Sequence, residues 1–380
     1  MTSPPSPGWA GVLRGVVDRS HLITGDQLSP LLDSLVRELG LTAEVYLVDL
    51  GQTTLTPVRP DGGEQEPVET GGAGRAYQLG EIVPGTDERG GRLLWVPMLD
   101  GTERAGVLRI GLAHDTTDDE HLRQDVWSLS GLMGHIIMAK IPYSDRLRRM
   151  RNAGQLSVAS ELMWQLLPPR TMATEEVVIT AILEPHDRVA GDAYDYSVDS
   201  HTAMLAVYDG LGHDLPATQS TALALSAVRN ARRAGVTDLT VLAARADEVL
   251  AEQSSPIRFV TAVLASLDTR TGVLEYLLAG HPAPLLIRDG KLLRELDHPP
   301  RPPLGVGGGR PGEVTREQLE PGDRLLLYSD GITEARDHTG EFFGEERLVE
   351  FTERAERDGL AAPETLRRLG AAVLERPQDP

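Results

Sequence analysis

Three aspartates, each next to a glycine, are the residues of this chain whose types and spacing could do chemistry. They occur as Gly191-Asp192, Asp209-Gly210 and Asp330-Gly331. Each is expected at the end of an apolar strand, where the backbone holds a carboxylate rigidly and the glycine lets backbone and solvent approach a cation. One Asp-Gly pair alone is more often a plain turn. Three such pairs at strand ends favour a shared site.

The ligand chemistry of these aspartates indicates hard cations. The chain contains no cysteine, and no histidine cluster accompanies the aspartates. Oxygen ligands of this kind favour magnesium or manganese over zinc. Two such ions about 3.5 to 4 Å apart can generate hydroxide and stabilise the charge on a displaced phosphate oxygen. The residues therefore predict hydrolysis of a phosphate ester.

The bulk composition predicts a folded, water-soluble protein. Its 380 residues predict two domains, and 40% hydrophobic with 25% charged residues is typical of globular chains. The formal net charge of -20 argues against a nucleic-acid partner. No apolar stretch is long enough to span a membrane, and the N-terminus lacks an export signal. Because cysteine is absent, a reducing compartment fits, and we predict a cytoplasmic protein without a membrane partner.

Residues 1–25 are rich in Pro, Gly and Ser at the start, and they predict a poorly ordered leader. Residues 26–141 then predict a small α+β domain. Its expected elements are a helix from Pro30 to Leu39 capped by Ser29, strands over Val45–Leu50, Leu93–Met98 and Gly106–Leu112, and a helix over His121–Lys140. Asp100-Gly101 lies between the last two strands.

Residues 142–170 are predicted to connect the two domains through one helix over residues 144–167. The helix is entered after Pro142 and ended by Pro168. Its heptad period is broken around Gly154 and Ser157, so an uninterrupted coiled coil is not supported. Packing against a symmetry mate, as in a homodimer, and packing onto its own domain are equally open.

Residues 171–380 are dominated by apolar strands. Thr271-Gly272 and Asp289-Gly290 are each flanked by apolar runs, which predicts antiparallel hairpins. Two sheets packed between helical layers are the natural arrangement of such elements. The expected strands are 177–183, 203–208, 259–267, 273–279, 285–288 and 324–328, and the expected helices are 216–233, 240–253, 345–357 and 363–374.

Longer motifs surround the three aspartates. They are Val189-Ala190-Gly191-Asp192-Ala193-Tyr194-Asp195, Asp209-Gly210-Leu211-Gly212-His213, Ala279-Gly280-His281-Pro282-Ala283-Pro284 and Leu327-Tyr328-Ser329-Asp330-Gly331-Ile332-Thr333-Glu334-Ala335. In order and spacing they resemble a SpoIIE-like phosphatase of the metal-dependent PPM class, from about residue 155 to the C-terminus. The runs Leu94–Leu99 and Arg104–Ile110 resemble a GAF domain. The resemblance implies an α+β fold in which a PPM-type α/β/β/α sandwich follows a smaller GAF-like domain.

Carried over by position, the resemblance assigns two ions, Mn²⁺ or Mg²⁺, to this site. Asp209 would bridge both metals, and the carbonyl of Gly210 would bind one. Asp192 and Asp330 would each complete part of a coordination shell. The expected catalytic residues are therefore Asp192, Asp209 and Asp330, and the expected metal ligands are these three with Gly210.

Neighbouring polar residues receive weaker assignments. For Asp195, orienting solvent near the metals and accepting a hydrogen bond at a strand end are equally open. His213 is expected to be structural, because its offset from Asp209 differs from that of the acid histidine in the wider class, where Leu211 stands.

Three further residues complete the set of candidates. His281 is expected to fix its loop, and Arg188 is expected to be a surface residue. Asp214 stands where the family has glycine, and it either adds a ligand or makes the site more negative.

The resemblance implies a serine/threonine protein phosphatase whose substrate is a phosphorylated anti-sigma factor antagonist in a partner-switching pathway. A small molecule or a protein would act as input at the GAF-like domain. The family's final Asp-Asp-x-Thr motif does not occur before Pro380. If the chain ends there, a catalytically weak pseudophosphatase that binds partners is the alternative; if it continues, the site is complete. A phosphatase for small metabolites is a third option.

Overall fold

The computed structural model describes residues 7–59, 61–152, 156–184, 191–212, 214–253, 259–306, 312–336 and 340–374. Arg188, His213 and Gly154, each assigned a part above, lie outside the described residues. The chain divides into two units, Met1–Gln155 and Leu156–Pro380. Among the described residues, no helix combines the length and the apolar character needed to cross a bilayer.

The first unit is built on one antiparallel sheet. Its strands are β1 (Leu41–Val48), β2 (Thr54–Pro57), β3 (Glu66–Pro67), β4 (Val83–Thr86), β5 (Arg92–Asp100) and β6 (Glu103–Leu112), in the spatial order β3-β2-β1-β6-β5-β4. Its helices are α1 (Pro7–Ser20), α2 (Leu28–Val36), α3 (Gly71–Leu79), α4 (Glu120–Lys140) and α5 (Asp145–Arg151). Gly101 lies in the turn that joins the antiparallel strands β5 and β6.

Both faces of this sheet carry buried apolar side chains. Helices α1, α2, α4 and α5 contribute to the core on one face. On the other face α3 covers a second cluster, in which the rings of Tyr46 and Trp95 meet edge to face with centroids 5.4 Å apart. This arrangement is compatible with the GAF-like domain, which stays a prediction.

The prediction of a poorly ordered leader is wrong for residues 7–20. They form α1, in which Trp9, Val12 and Val16 are buried at helical spacing. Gly15, one of the glycines that obscured this helix in the sequence, packs against α2. A Cβ at Gly15 would lie 2.8 Å from a methyl group of Leu35 in α2, so glycine permits the two helices to approach.

The prediction of one connecting helix over residues 144–167 is also wrong. Helix α5 ends at Arg151, and α6 (Val158–Leu166) begins after Ser157, whose hydroxyl caps it by accepting from the amide of Ser160 at 3.0 Å. Leu147 of α5 is buried in the first unit's core, and Met163 of α6 is buried in the second unit's core. The broken heptad period therefore marked a true interruption of the helix.

The described residues of the second unit form three sheets. Its strands are β7 (Thr171–Ala173), β8 (Val178–Thr180), β9 (Asp192–Asp199), β10 (Thr202–Gly210), β11 (Val260–Asp268), β12 (Val273–Ala279), β13 (Leu285–Arg288), β14 (Lys291–Glu295), β15 (Thr315–Gln318) and β16 (Arg324–Leu326). Its remaining helices are α7 (Leu215–Arg233), α8 (Leu239–Ala251), α9 (Asp330–Thr333), α10 (Glu345–Arg357) and α11 (Ala362–Leu374). The large sheet has the order β15-β12-β11-β10-β9, the smaller one is β14-β13-β16, and β7 pairs with β8.

These elements form the predicted α/β/β/α layers. One buried cluster joins α7 and α8 to the large sheet, and another lies between the large and the smaller sheet. A third cluster joins the smaller sheet to α10 and α11. Both predicted hairpins are confirmed, since β11 pairs with β12 and β13 pairs with β14.

Two of the three aspartates do not end a strand. Asp192 begins β9, a polar strand that the sequence did not reveal, because its residues lack the apolar run of its neighbours. Strand β16 already ends at Leu326, and Asp330 begins the short helix α9. Only Asp209 lies at the end of a predicted strand.

Candidate metal centre

Asp192 and Asp209 are direct neighbours across an antiparallel strand pair. β9 starts where β10 ends, and the register places Asp192 opposite Asp209. Opposed residues in such a ladder project from the same face of the sheet. Asp209 continues the face of Leu205 and Val207, which belong to the cluster between the two sheets. Both carboxylates therefore stand on the side from which the smaller sheet approaches.

Asp330 lies near Asp192 and Asp209, but it is carried by the segment that follows the smaller sheet. It follows β16 by a short segment, and the hydroxyl of Ser329 within that segment donates a hydrogen bond of 2.9 Å to Oδ2 of Asp192. The carboxyl group of Asp209 lies within hydrogen-bonding reach of those of Asp192 and Asp330. The structure thus brings together the three aspartates that the sequence singled out.

Burial and neighbouring negative charge raise the pKa of both Asp192 and Asp209. Burial and, to a smaller extent, the charges of Asp192 and Asp330 together raise the pKa of Asp209 to about 8. Burial also raises the pKa of Asp192; hydrogen bonds from Ser329 and Asp209 oppose the shift, and the charge of Asp330 adds to it. The charges that shift the pKa of Asp209 are all negative, so a cation would relieve the repulsion.

The carboxylate oxygens of this cluster are suitable ligands for hard divalent cations. Carboxylates of three chain segments meet, and such oxygen ligands suit magnesium and manganese. In the described ranges, no group of three or more Asp, Glu or His side chains is already spaced to hold an ion. Because the carboxyl group of Asp209 lies within hydrogen-bonding reach of the other two, these groups would have to separate around a bound ion.

Glycine is required beside Asp192 because two backbones pass very close together. A Cβ at Gly191 would lie 2.4 Å from the carbonyl oxygen of Gly210. The carbonyl oxygen of Gly191 accepts hydrogen bonds from the amide of Gly210 at 3.0 Å and from the hydroxyl of Thr221 at 2.6 Å. Thr221 is fully buried on α7. Helix α7 therefore holds the backbone next to two predicted metal ligands.

Asp195 does not lie with the metal candidates. Three residues along β9 from Asp192, it projects from the opposite face of the sheet. There its carboxylate, 4% exposed, accepts hydrogen bonds from Arg229 at 2.7 Å and Arg232 at 2.9 Å, both on α7. The structure thus favours an anchor for α7 over the alternative of orienting solvent.

Asp214, the second residue left open, caps α7. Its Oδ1 accepts a hydrogen bond of 3.0 Å from the amide of Ala217. Such a carboxylate at a helix N-terminus is stabilising in its own right. Neither role proposed for it at the metals is needed to explain its position.

His281 is buried beside the aspartates. Only 5% of the residue is exposed, and Nδ1 lies 2.9 Å from the hydroxyl oxygen of Thr261. Its pKa is lowered to about 4, because burial outweighs the opposing effects of the Tyr328 backbone and the charge of Asp330. The ring is therefore neutral near pH 7.

Sequence reasoning missed the hydroxyls that surround the carboxylates. Ser329, Thr221 and Thr261 each bond to a predicted ligand or to its neighbouring backbone. Ser329 adjoins Asp330 in the motif, which was an available signal. Thr218 and Thr221 lie one turn apart on the buried face of α7, and this pair of hidden hydroxyls was the other signal.

Comparisons with known proteins agree with these features. Residues 199–379 match the family model described as Stage II sporulation protein E (SpoIIE). This span includes Asp209, Gly210 and Asp330, and it starts after Asp192.

Two characterised relatives and one solved structure are similar over parts of the chain. Protein IcfG of Synechocystis sp. is 24% identical over 288 residues, covering 67% of this chain and 45% of that protein. The phosphoserine phosphatase RsbU of Bacillus subtilis is 24% identical over 187 residues, covering 49% of this chain and 55% of that protein. The chain thus spans about half the length of these relatives. The SiaA-PP2C domain of Pseudomonas aeruginosa is 26% identical with a TM-score of 0.44, covering 50% of this chain and 74% of that chain.

The family match spans most of the second unit, which also has the layered architecture and the aspartate motifs expected from the sequence. Over residues 199–379, the second unit of this chain is similar to the SpoIIE family.

Proposed function

We propose that this chain is a metal-dependent serine/threonine protein phosphatase. The observation that carries the proposal is the convergence of Asp192, Asp209 and Asp330 from two sheets onto one acidic centre. Two divalent cations, Mn²⁺ or Mg²⁺, would supply an activated water nucleophile and neutralise the charge of the displaced phosphate oxygen. The family match and the similarity to a phosphoserine phosphatase support the same reaction class.

The chain's own residues have distinct parts in this proposal. Asp209 interacts with both other carboxyl groups, and this suits a ligand shared by two ions. Asp192 and Asp330 would each bind on one side, with the carbonyl of Gly210 as a further ligand. Ser329 orients Asp192 by its hydrogen bond. These contacts position the ligands before substrate arrives, as preorganised sites require.

The substrate class proposed is a phosphorylated protein of the anti-sigma factor antagonist type, within a partner-switching pathway. The RsbU relative supports this assignment through its phosphoserine phosphatase activity. Next to the acidic centre, Leu211 is 58% exposed and offers apolar surface to a protein substrate. The first unit is proposed as the input domain for a small molecule or a protein.

Phosphate release from a phosphoserine protein, measured with and without manganese, tests this function. Wild type should turn over only with the metal, and Asp209→Ala should lose at least about 100-fold in kcat/KM because a shared ligand is removed. Asp199→Ala is the matched control, since Asp199 is an exposed aspartate at the opposite end of β9. Equal rates for wild type and Asp209→Ala would refute the proposal. Manganese uptake without turnover would instead identify a pseudophosphatase.

A further inference from the structure

Asp330 differs from the other two proposed aspartate ligands because it does not belong to a strand. The register of β9 and β10 places Asp192 opposite Asp209. Strand β16, in contrast, ends at Leu326, and residues 327–329 lead from it to Asp330 without strand pairing. Side-chain contacts of this short segment must therefore set where the carboxylate of Asp330 lies.

Ser329 holds the segment on the side of the large sheet. Its hydroxyl donates the hydrogen bond of 2.9 Å to Oδ2 of Asp192. Ser329 is also the N-cap residue of α9, yet its side chain makes no capping bond to that helix. The hydroxyl is thus used to join the residue before Asp330 to the first residue of β9.

Tyr328 holds the same segment on the opposite side. Only 5% of the residue is exposed, and its ring belongs to the buried cluster that joins the smaller sheet to α10 and α11. Its hydroxyl donates a hydrogen bond of 2.9 Å to Oε2 of Glu345, the first residue of α10. Two consecutive side chains, Tyr328 and Ser329, therefore fix this segment between α10 and the large sheet.

Glu345 is itself held close to α9 by the backbone that precedes it. The amide of Gly344 donates to the carbonyl oxygen of Thr333 at 2.9 Å, and the amide of Phe343 donates to that of Ala335 at 2.7 Å. Phe343 and Ala335 are both buried. The start of α10 is thus fastened to the chain that leaves Asp330, and the Glu345 carboxylate has a defined place from which to accept.

The bond between Tyr328 and Glu345 is suited to fixing geometry. Hydrogen bonds to an ionised carboxylate are stronger than those between neutral groups. The tyrosine ring is packed in a core and the carboxylate stands on a helix, so both partners are carried by rigid surroundings. Support of this kind is what keeps a ligand within the narrow range of positions that a metal site requires.

We infer that Tyr328 and Glu345 form a positioning pair, through which the start of α10 sets the place of Asp330 and thereby the affinity of the acidic centre for a divalent cation. The pair acts through the backbone of residues 328–330 and is not itself a ligand. This inference rests on the proposed function, because it assumes that Asp330 binds metal.

Calorimetric titration of the full chain with manganese chloride, after chelator treatment, tests the pair. Tyr328→Phe removes only the hydroxyl group, and it should raise the manganese Kd by about 10-fold, as loss of a contact behind a ligand typically does. Glu345→Ala should raise the Kd by a similar factor, whereas Glu345→Gln keeps an acceptor oxygen and should stay within about threefold of wild type. Because both residues act through one bond, the double variant of Tyr328→Phe and Glu345→Ala should bind no more weakly than either single variant.

Two control variants match these changes. Glu346→Ala removes an exposed glutamate from the same first turn of α10. Tyr196→Phe removes a tyrosine hydroxyl that donates to the carbonyl oxygen of Pro169 at 2.8 Å. Both controls should keep the wild-type Kd. A higher Kd in Tyr328→Phe then reports the bond to Glu345, and not a lost helix charge or a lost hydroxyl in general.

Steady-state rates and melting temperatures separate positioning from general damage. The positioning role requires kcat at saturating manganese to stay near wild type, while the manganese concentration for half-maximal rate rises with the Kd. It also requires a melting temperature close to that of Tyr196→Phe. A lower kcat at saturating manganese with an unchanged Kd would contradict it. Should Tyr328→Phe fail to fold, Glu345→Ala and Glu345→Gln still decide the question.

The two levels of the proposal fail in different ways. A wild-type chain that takes up no manganese, and resembles Asp209→Ala in this respect, would overturn the proposed function and the positioning pair together. A wild-type chain that binds manganese, beside Tyr328→Phe and Glu345→Ala variants with an unchanged Kd, would overturn the positioning pair alone.

Discussion

The hydroxyl of Thr221 donates a hydrogen bond of 2.6 Å to the carbonyl oxygen of Gly191, thirty residues earlier in the chain. This bond joins α7 to the backbone that enters β9 at Asp192. The same carbonyl accepts from the amide of Gly210, so one buried oxygen links a helix and the ends of two strands. The position of the predicted ligands therefore depends on how α7 is seated.

Thr221→Val should lower the free energy of unfolding by about 1 kcal/mol, because a buried hydrogen bond is lost while the Gly191 carbonyl keeps one partner. Manganese affinity should fall as well, since the backbone beside Asp192 loses an anchor. Urea denaturation and calorimetry measure the two effects. Thr221→Ser keeps the hydroxyl and should behave as wild type. Stability and affinity both unchanged in Thr221→Val would contradict this role.

Gly191→Ala should weaken manganese binding by about 10-fold or more, because the added Cβ would lie 2.4 Å from the carbonyl oxygen of Gly210 and the backbone must move. The matched control is Gly131→Ala, where a Cβ would have no neighbour within 4 Å. That helical change should leave stability equal or higher by up to about 1 kcal/mol. A Gly191→Ala chain that binds manganese as wild type does would show that the close approach is dispensable.

Asp195→Asn should destabilise the second unit by about 2 to 3 kcal/mol without abolishing metal binding. The substitution leaves Arg229 and Arg232 without their shared anion, and both arginines are largely buried. Because Asp195 projects away from the metal candidates, the Kd for manganese should change far less than in Asp209→Ala. Urea denaturation measures the stability, with Asp199→Asn expected within about 0.5 kcal/mol of wild type. Loss of metal binding at unchanged stability would revive a role at the metals.

The pair of Arg288 and Asp323 should make stability depend on pH in the acid range. Hydrogen bonds from Arg288 lower the pKa of Asp323, whose side chain is 2% exposed. A carboxyl group with a lowered folded-state pKa contributes stability that is complete above its ordinary pKa of 3.8 and is lost as the pH falls through the folded-state value. The unfolded chain takes up the proton first.

Asp323→Asn should therefore be less stable than wild type by about 1 to 2 kcal/mol at pH 7, and the difference should shrink as the pH is lowered from 5 towards 2. Unfolding free energies of both chains across this range measure the difference. Asp199→Asn should show no such convergence with wild type. A gap that widens on acidification would mean that Asp323 has the opposite shift.

The layered fold of the second unit was predictable because its signals are local. Apolar runs mark β11, β12 and β13, and Asp-Gly or Thr-Gly turns mark the hairpins between neighbours. The strand β9 and the helix α1 were not predictable in this way. In β9, polar residues satisfy partners from α7, and in α1, glycines permit close helix packing. Neither partner is visible in the local pattern.

For the candidate site, the sequence by itself determined the three aspartates, the glycines beside them and the preference for hard cations. Residue type decides ligand chemistry, and a short motif carries it. Only the tertiary structure decided that Asp192, Asp209 and Asp330 meet, that Asp195 turns away, and that Thr221, Thr261 and Ser329 brace the ligands. Strand register and sheet packing join residues far apart in the chain, and no local periodicity encodes which hydroxyl will face which carbonyl.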